Sequence, residues 1–178
     1  AIALRQAKAA EVSSNLLDAL KKDESAFVKI SAIRALASLK VAEADPIVLK
    51  YTTIQEVNLA VASSEYFMAT AHAGNAKLIA SNISEPQNWR VRANLYRATL
   101  PFLPELKGQI LEQLNKTTNP HEQGQLLLAL ASQPENCEYL RERLYNTQSI
   151  VVRSYAIEGL ANIRTHSEFA RMLKKEPD

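Results

Sequence analysis

Residues 146–163 read NTQSIVVRSYAIEGLANI, and this stretch decides the fold class. A polar turn is followed by apolar residues three and four apart, at Val152, Ala156, Leu160 and Ile163. Such spacing lines up apolar side chains on one face of a helix, and turn residues of the Asn, Thr and Ser type cap helix N-termini. The stretch therefore predicts a capped amphipathic helix.

The same pattern recurs along the chain with a period of about 31 residues, within the range of helical-hairpin arrays. Five segments carry it, at residues 12–44, 45–75, 76–106, 107–136 and 137–167. Each segment contains two stripes of helical spacing separated by a polar turn, and we interpret 1–11 and 168–178 as partial flanking helices. One hairpin cannot bury its own apolar stripe, so neighbouring hairpins are expected to stack. The sequence predicts one all-α repeat domain, and the absence of a starting Met suggests a fragment of a longer chain.

Composition narrows the function classes. Among 178 residues, 21 Lys and Arg oppose 19 Asp and Glu, and the net charge of +2 is too small to indicate a dedicated nucleic-acid or membrane surface. A single cysteine, Cys137, cannot form an internal disulfide, which favours a reducing and hence cytoplasmic location. No signal peptide and no apolar run long enough to span a membrane is present in the sequence.

The second helices carry a more specific motif. After an acidic or polar turn, Val28-Lys29, Val91-Arg92 and Val152-Arg153 precede a stripe of Ala and Leu, and this pattern resembles HEAT repeats. The second segment has only Val57-Asn58 and the fourth has no such pair, which leaves the register of the fourth open. The resemblance implies a right-handed α-α superhelix (an α-solenoid) of about five hairpins, with the second helices on the concave side. It also implies that the basic residue of each pair bonds turn groups of its own or the neighbouring repeat.

HEAT-like proteins mostly bind other proteins, so the resemblance implies a protein or peptide partner at the concave face. By helical angle from Val28, the outward positions of the second segment are Leu59, Ser63 and Phe67. The candidate partner-binding residues of the whole face are Arg34, Phe67, Asn94, Arg97, Gln125, Tyr155 and Glu158. The alternative is a merely solvated face, on which Leu59 and Phe67 fill gaps between repeats. The oligomeric state stays open.

Chemistry-bearing motifs are scarce, so we expect no enzyme, no metal and no cofactor. Of the three histidines, only His121 is followed by Glu, a pair that HEAT-like deoxyhypusine hydroxylases use several times around iron. Metal sites need several converging ligands, and a single pair does not supply them. No phosphate-binding glycine loop or nucleophile elbow is present in the sequence.

Two further functions stay open beside a non-catalytic, protein-binding scaffold. Trp89-Arg90 and Tyr96-Arg97 combine rings with cations, as nucleic-acid surfaces do. HEAT-like alkylpurine DNA glycosylases use a basic concave face with aromatic residues and an acidic residue, and Arg97, Tyr155 and Glu158 resemble that combination. A structural spacer within a larger multidomain protein is the other alternative.

Overall fold

In the computed structural model, the backbone of residues 2–174 and the side chains of residues 11–164 are described. Over that range the chain is all-α, as the sequence predicts, with ten α-helices and three short 3-10 segments. The helices are α1 Ile2–Lys22, α2 Ala26–Leu39, α3 Asp45–Tyr51, α4 Val57–Thr70, α5 Ala76–Ala80, α6 Trp89–Thr99, α7 Lys107–Lys116, α8 Pro120–Leu130, α9 Cys137–Asn146 and α10 Ile150–Lys174. The 3-10 segments are Ala42–Ala44, Pro104–Leu106 and Pro134–Asn136.

The chain forms two compact units, Ala1–Ala98 and Thr99–Asp178. In the first unit α2 packs against α1 and α4, and α3 packs against α4. In the second unit α8 packs against α7 and α10, and α9 packs against α10. α1, α3, α7 and α9 thus each pair with the helix that follows, and α2 with α4 and α8 with α10 are contacts between second helices of neighbouring pairs. This arrangement is that of stacked hairpins.

Each unit has its own apolar core, to which both the first and the second helices of the hairpins contribute. The largest fully buried side chains of the first unit are Leu20, Ile33, Leu36, Tyr66, Phe67, Ile79 and Leu95. Those of the second unit are Leu100, Ile110, Leu126, Leu127 and Leu130. Burial of such side chains is worth about 1.5–3 kcal/mol each and holds the short helices, which are too short to be stable alone in water.

A polar residue occupies the N-cap position of each second helix, which fixes the register of the repeats, although the side chain of Ser25 makes no capping hydrogen bond. The cap residues are Ser25, Glu56, Asn88, Asn119 and Ser149. Asn119 Oδ1 accepts hydrogen bonds from the backbone N–H groups of His121 (3.0 Å) and Glu122 (3.4 Å). These bonds satisfy N–H groups that have no partner within the helix, as the polar turns predict.

Counting from the cap settles the register of the second and fourth segments. The third residue after the cap is Val28 in α2, Leu59 in α4, Val91 in α6, Glu122 in α8 and Val152 in α10. The fourth segment therefore does have the position that holds the Val-Arg pair elsewhere, but Glu122-Gln123 occupies it. In α4 the equivalent of Val28 is Leu59. It lies two residues beyond Val57, which the sequence analysis identifies as the equivalent residue.

The flanking segments do not form helices of their own within the described backbone. α1 runs without a break from Ile2 to Lys22, and α10 runs without a break from Ile150 to Lys174. No glycine or proline interrupts the chain near residue 11 or near residue 168, so nothing forces the helices to end there. Residues 1 and 175–178 lie outside the described residues.

None of the helices in the described part of the chain is both long enough and apolar enough to cross a bilayer.

Candidate interaction surface of the second helices

One stripe of each second helix lies opposite the core-facing positions, and we call it the solvent stripe, although its members Ala62, Asn94 and Leu128 are buried. It consists of the residues two, six, nine and thirteen positions after the cap, whose helical angles differ by less than a right angle. Its members are Phe27, Ser31, Arg34 and Ser38 in α2; Asn58, Ala62, Glu65 and Ala69 in α4; Arg90, Asn94 and Arg97 in α6, with Pro101 just after it; His121, Gln125 and Leu128 in α8, with Ser132 just after it; Val151, Tyr155, Glu158 and Asn162 in α10. The last residue of each of the five sets is exposed.

Six of the seven candidate residues lie on the solvent stripe, with different accessibility. Arg34 and Glu158 are exposed, and Arg97, Gln125 and Tyr155 are half-buried. Asn94 is buried, and its Nδ2 donates to Ser64 Oγ on α4 at 3.0 Å. Asn94 therefore joins two neighbouring second helices and is not available to a partner.

Phe67 is a correction, because its side chain is completely buried. Leu59 and Ser63, which share its predicted face, are buried as well. The prediction took Val57 as the equivalent of Val28, whereas the cap at Glu56 makes Leu59 the equivalent residue. Phe67 consequently corresponds to the buried Leu36 and belongs to the core.

The structure brings Gln125 and Tyr155 together in the second unit. Gln125 Nε2 donates to the Tyr155 hydroxyl at 3.3 Å, and the His121 ring meets the Tyr155 ring edge-on at 6.5 Å between centroids. A Cβ at Gly124 would lie 1.9 Å from Tyr155 Cδ2, so the tyrosine ring lies directly against the glycine backbone. The Tyr155 ring is fixed from two sides and still half-exposed.

Side chains one position after the Val of the motif lock the turns, as the HEAT resemblance implies. Arg92 Nη1 donates to the carbonyls of Pro86 (2.9 Å) and Gln87 (2.8 Å). Lys29 Nζ lies 5.1 Å from the ring centroid of Tyr51 in the neighbouring hairpin. In the fourth segment Gln123 Nε2 donates to the Thr117 carbonyl at 2.8 Å and so takes the place of the arginine.

Arg153 departs from this pattern. Its side chain is exposed, and no bond from it to a turn carbonyl is present among residues 11–164.

The arginines of the cluster near residue 90 have different environments. Arg92 bonds the carbonyls of its own turn, while Arg90 is exposed.

A buried polar network, which the sequence alone does not reveal, joins α3 and α4. The Tyr66 hydroxyl lies 2.7 Å from both the Val41 carbonyl and Asp45 Oδ1, and Asn75 Nδ2 donates to Asp45 Oδ2 at 2.8 Å. Burial, and then the hydrogen bond to the Asp45 carboxylate, raise the pKa of Tyr66 well above its ordinary value. A buried polar group is costly unless it is bonded, and this network satisfies both carboxylate oxygens.

A cavity lies in the first unit, between the turns of the second and third hairpins. Its volume is about 520 Å³, and Thr53, Gln55, Glu85, Gln87 and Asn88 are among the residues that line it. Counting from the cap also identifies exposed stripe residues that the sequence analysis does not select, among them Phe27, which is 84% exposed, and His121.

Clustered metal ligands are not found among the described side chains, where no three His, Cys, Asp or Glu residues lie together. His72 Nδ1 accepts a hydrogen bond from the Gly74 N–H at 3.0 Å, which ties this histidine to its own turn. His166 lies outside the described side chains.

Comparison of the chain with protein-family models, with characterised proteins and with solved structures gives no match.

Proposed function

We propose that the chain is a non-catalytic, protein-binding module whose stacked hairpins form a HEAT-like right-handed superhelix. The solvent stripe of the second helices is its binding surface. The repeated motif after each polar turn and the turn locks of Arg92 and Gln123 support the HEAT-like assignment.

The observation that carries the proposal is the environment of Tyr155. Its ring lies against the Gly124 backbone, its hydroxyl accepts a bond from Gln125, and part of it stays open to solvent. Interface hot spots are enriched in tyrosine and arginine that occupy well-packed surroundings. A side chain already held in place loses little conformational entropy when a partner binds.

The neighbouring groups indicate the chemistry of the partner. Glu158 is exposed and follows Tyr155 by three residues, so the two side chains are neighbours on the helix surface. A carboxylate beside an aromatic ring attracts an ammonium or guanidinium group through both charge and the ring face. We therefore propose a protein or peptide that places a Lys or Arg side chain on Tyr155 and Glu158.

A peptide-display selection on the immobilised full chain tests this proposal. Enriched peptides are expected to contain a basic residue, and their affinity, measured by calorimetry, is expected to fall at least tenfold with Tyr155→Ala and with Glu158→Lys. Loss of a hot-spot residue costs about 2 kcal/mol or more. Tyr145→Ala is the matched control, because Tyr145 is 80% exposed but lies on α9, outside the stripe.

Other outcomes separate the alternatives. Enriched peptides whose affinity is the same for Tyr155→Ala and for the wild-type chain would reject the stripe as the binding surface. Failure to enrich any peptide favours a structural spacer. DNA binding that weakens steeply between two salt concentrations, and that Arg90→Ala reduces, favours a nucleic-acid module of the glycosylase kind.

A further inference from the structure

Neighbouring second helices contact each other through two defined faces. The leading face consists of the residues three, six, ten and fourteen positions after the cap, and the trailing face of those one, five, eight and twelve positions after it. In the second unit, Tyr155 and Gly159 of the α10 leading face lie against Gly124, Leu127 and Ala131 of the α8 trailing face. In the first unit, Asn94 of the α6 leading face bonds Ser64 of the α4 trailing face.

The leading face of α2 has no second helix upon it in the described residues. Val28 is 38% exposed, Leu39 is 46% exposed, and Ser31 is exposed between them. The equivalents of Val28 and Ser31 in α4 are buried by contrast, since Leu59 and Ala62 are 4% and 3% exposed, and Thr70, the equivalent of Leu39, is half-buried. α2 packs on the leading face of α4, whereas no second helix among the described residues packs on the leading face of α2.

The trailing face of α10 is open in the same way. Ile150 is 71% exposed and Ile157 is 56% exposed, and Ser154 and Ala161 are exposed beside them. In α8 the equivalents of Ile157 and Ala161, which are Leu127 and Ala131, are 0% and 4% exposed.

We propose that a second copy of the chain closes these faces, with the trailing face of α10 in one copy packed on the leading face of α2 in another. Within each unit a trailing face packs on a leading face. The α2 leading face has no trailing face upon it and the α10 trailing face has no leading face upon it, so their contact would continue the same helix pairing. Such an interface is heterologous, because it joins two different surfaces.

The hydroxyl groups on the two faces do not oppose their burial. Ser31 Oγ donates to the Phe27 carbonyl at 2.9 Å, and Ser154 Oγ donates to the Ile150 carbonyl at 3.0 Å. Both donors are therefore already paired when the faces leave water, and unpaired buried donors are what makes polar burial costly.

Charges beside the two faces are complementary. The ninth residue after the cap is Arg34 in α2, Glu65 in α4 and Arg97 in α6, so the sign alternates between neighbouring helices of the first unit. In the second unit the same position is the uncharged Leu128 in α8 and Glu158 in α10. A copy whose Glu158 comes beside Arg34 of the next copy extends this alternation, and opposite charges favour the right partner and orientation.

Sedimentation velocity of the full chain, from low micromolar to near-millimolar concentration, tests the proposal. The mean mass is expected to rise with concentration for the wild-type chain. It is expected to stay at the monomer value for Val28→Glu and for Ile157→Glu, each of which places a charge on one face. Tyr145→Glu, on α9 and outside both faces, is the matched control and should associate like the wild type.

Mixing the two variants distinguishes this contact from any other. Val28→Glu keeps an intact α10 face and Ile157→Glu keeps an intact α2 face, so an equimolar mixture should form a dimer and nothing larger. A wild-type chain that stays monomeric overturns the proposal, as does a mixture that stays monomeric. Association that Val28→Glu abolishes and Ile157→Glu leaves intact overturns it too, since that result indicates contact between two α2 faces. Circular dichroism of each variant shows that the helices are intact.

Discussion

Gly124 is the residue on which the contact between α8 and α10 depends. A Cβ there would lie 1.9 Å from Cδ2 and 2.4 Å from Cγ of Tyr155, distances that force the ring to move. The sequence indicates a close helix approach at Gly124, because glycine inside a helix costs up to about 1 kcal/mol relative to alanine. The structure identifies Tyr155 as the side chain that occupies the space.

We predict that Gly124→Ala lowers the free energy of unfolding, although alanine is the better helix former. Overpacking a filled site costs about 1–3 kcal/mol, and a shift of Tyr155 would also break its bond with Gln125. Gly108→Ala is the matched control, since a Cβ at Gly108 has nothing within 4 Å. Urea denaturation should place Gly124→Ala below Gly108→Ala by about 1–3 kcal/mol, and equal values would contradict the packing described.

Tyr66 gives the chain a predictable response to alkaline pH. Burial and the bond to Asp45 raise the pKa of Tyr66, so above pH of about 10 the unfolded chain loses this proton while the folded chain keeps it. Because the folded state then binds more protons, stability falls as pH rises, by about 1.4 kcal/mol per pH unit from this group.

Tyr66→Phe tests this assignment. At neutral pH it should cost about 1–3 kcal/mol, because the buried acceptors on Val41 and Asp45 lose their donor. Above pH of about 10 the difference between wild type and variant should shrink, since the phenylalanine does not titrate. Tyr145→Phe is the control, because Tyr145 is 80% exposed. A difference that stays constant up to strongly alkaline pH would rule out Tyr66 as the titrating group.

At the scale of the helix, the turn before α8 shows that one structural role can be filled by different residue types. Gln123 bonds the Thr117 carbonyl as Arg92 bonds the Pro86 carbonyl. Glu122, at the position of a valine elsewhere, is buried and accepts bonds from Gln113 Nε2 (2.9 Å) and Thr117 Oγ1 (2.6 Å). The missing Val-Arg pair is therefore a substitution within an intact hairpin.

We predict that Gln123→Ala destabilises the chain by about 0.5–1.5 kcal/mol, the usual net value of one hydrogen bond. Arg153→Ala, at the same position of the fifth hairpin, should change stability by less than about 0.5 kcal/mol, because Arg153 is exposed and makes no turn bond within residues 11–164. Thermal unfolding of both variants provides the measurement. A larger loss for Arg153→Ala than for Gln123→Ala would contradict the prediction that the turn bond of Gln123 is the more stabilising of the two.

Sequence patterns alone predict the all-α class and the paired helices, because apolar spacing follows directly from helical geometry. They place most stripe residues correctly where the cap is a typical Ser or Asn. They fail at α4, where Glu56 is the cap. There Val57 resembles the Val of the motif, and Phe67 is consequently predicted on the outward face although it lies in the core. Burial of Asn94 also escapes prediction, since its partner Ser64 lies in a different hairpin.

At the scale of the whole molecule, stacked hairpins lead us to expect that a local change loosens mainly its neighbours. Stability in such arrays is approximately a sum over repeats and their nearest-neighbour contacts, and local opening varies along the structure. Gly124→Ala should speed amide hydrogen exchange chiefly in α8 and α10, and Tyr66→Phe chiefly in α3 and α4. Mass spectrometry of peptides from both compact units measures this directly. If each variant speeds exchange equally in both units, the chain unfolds as one cooperative body and nearest-neighbour behaviour is excluded.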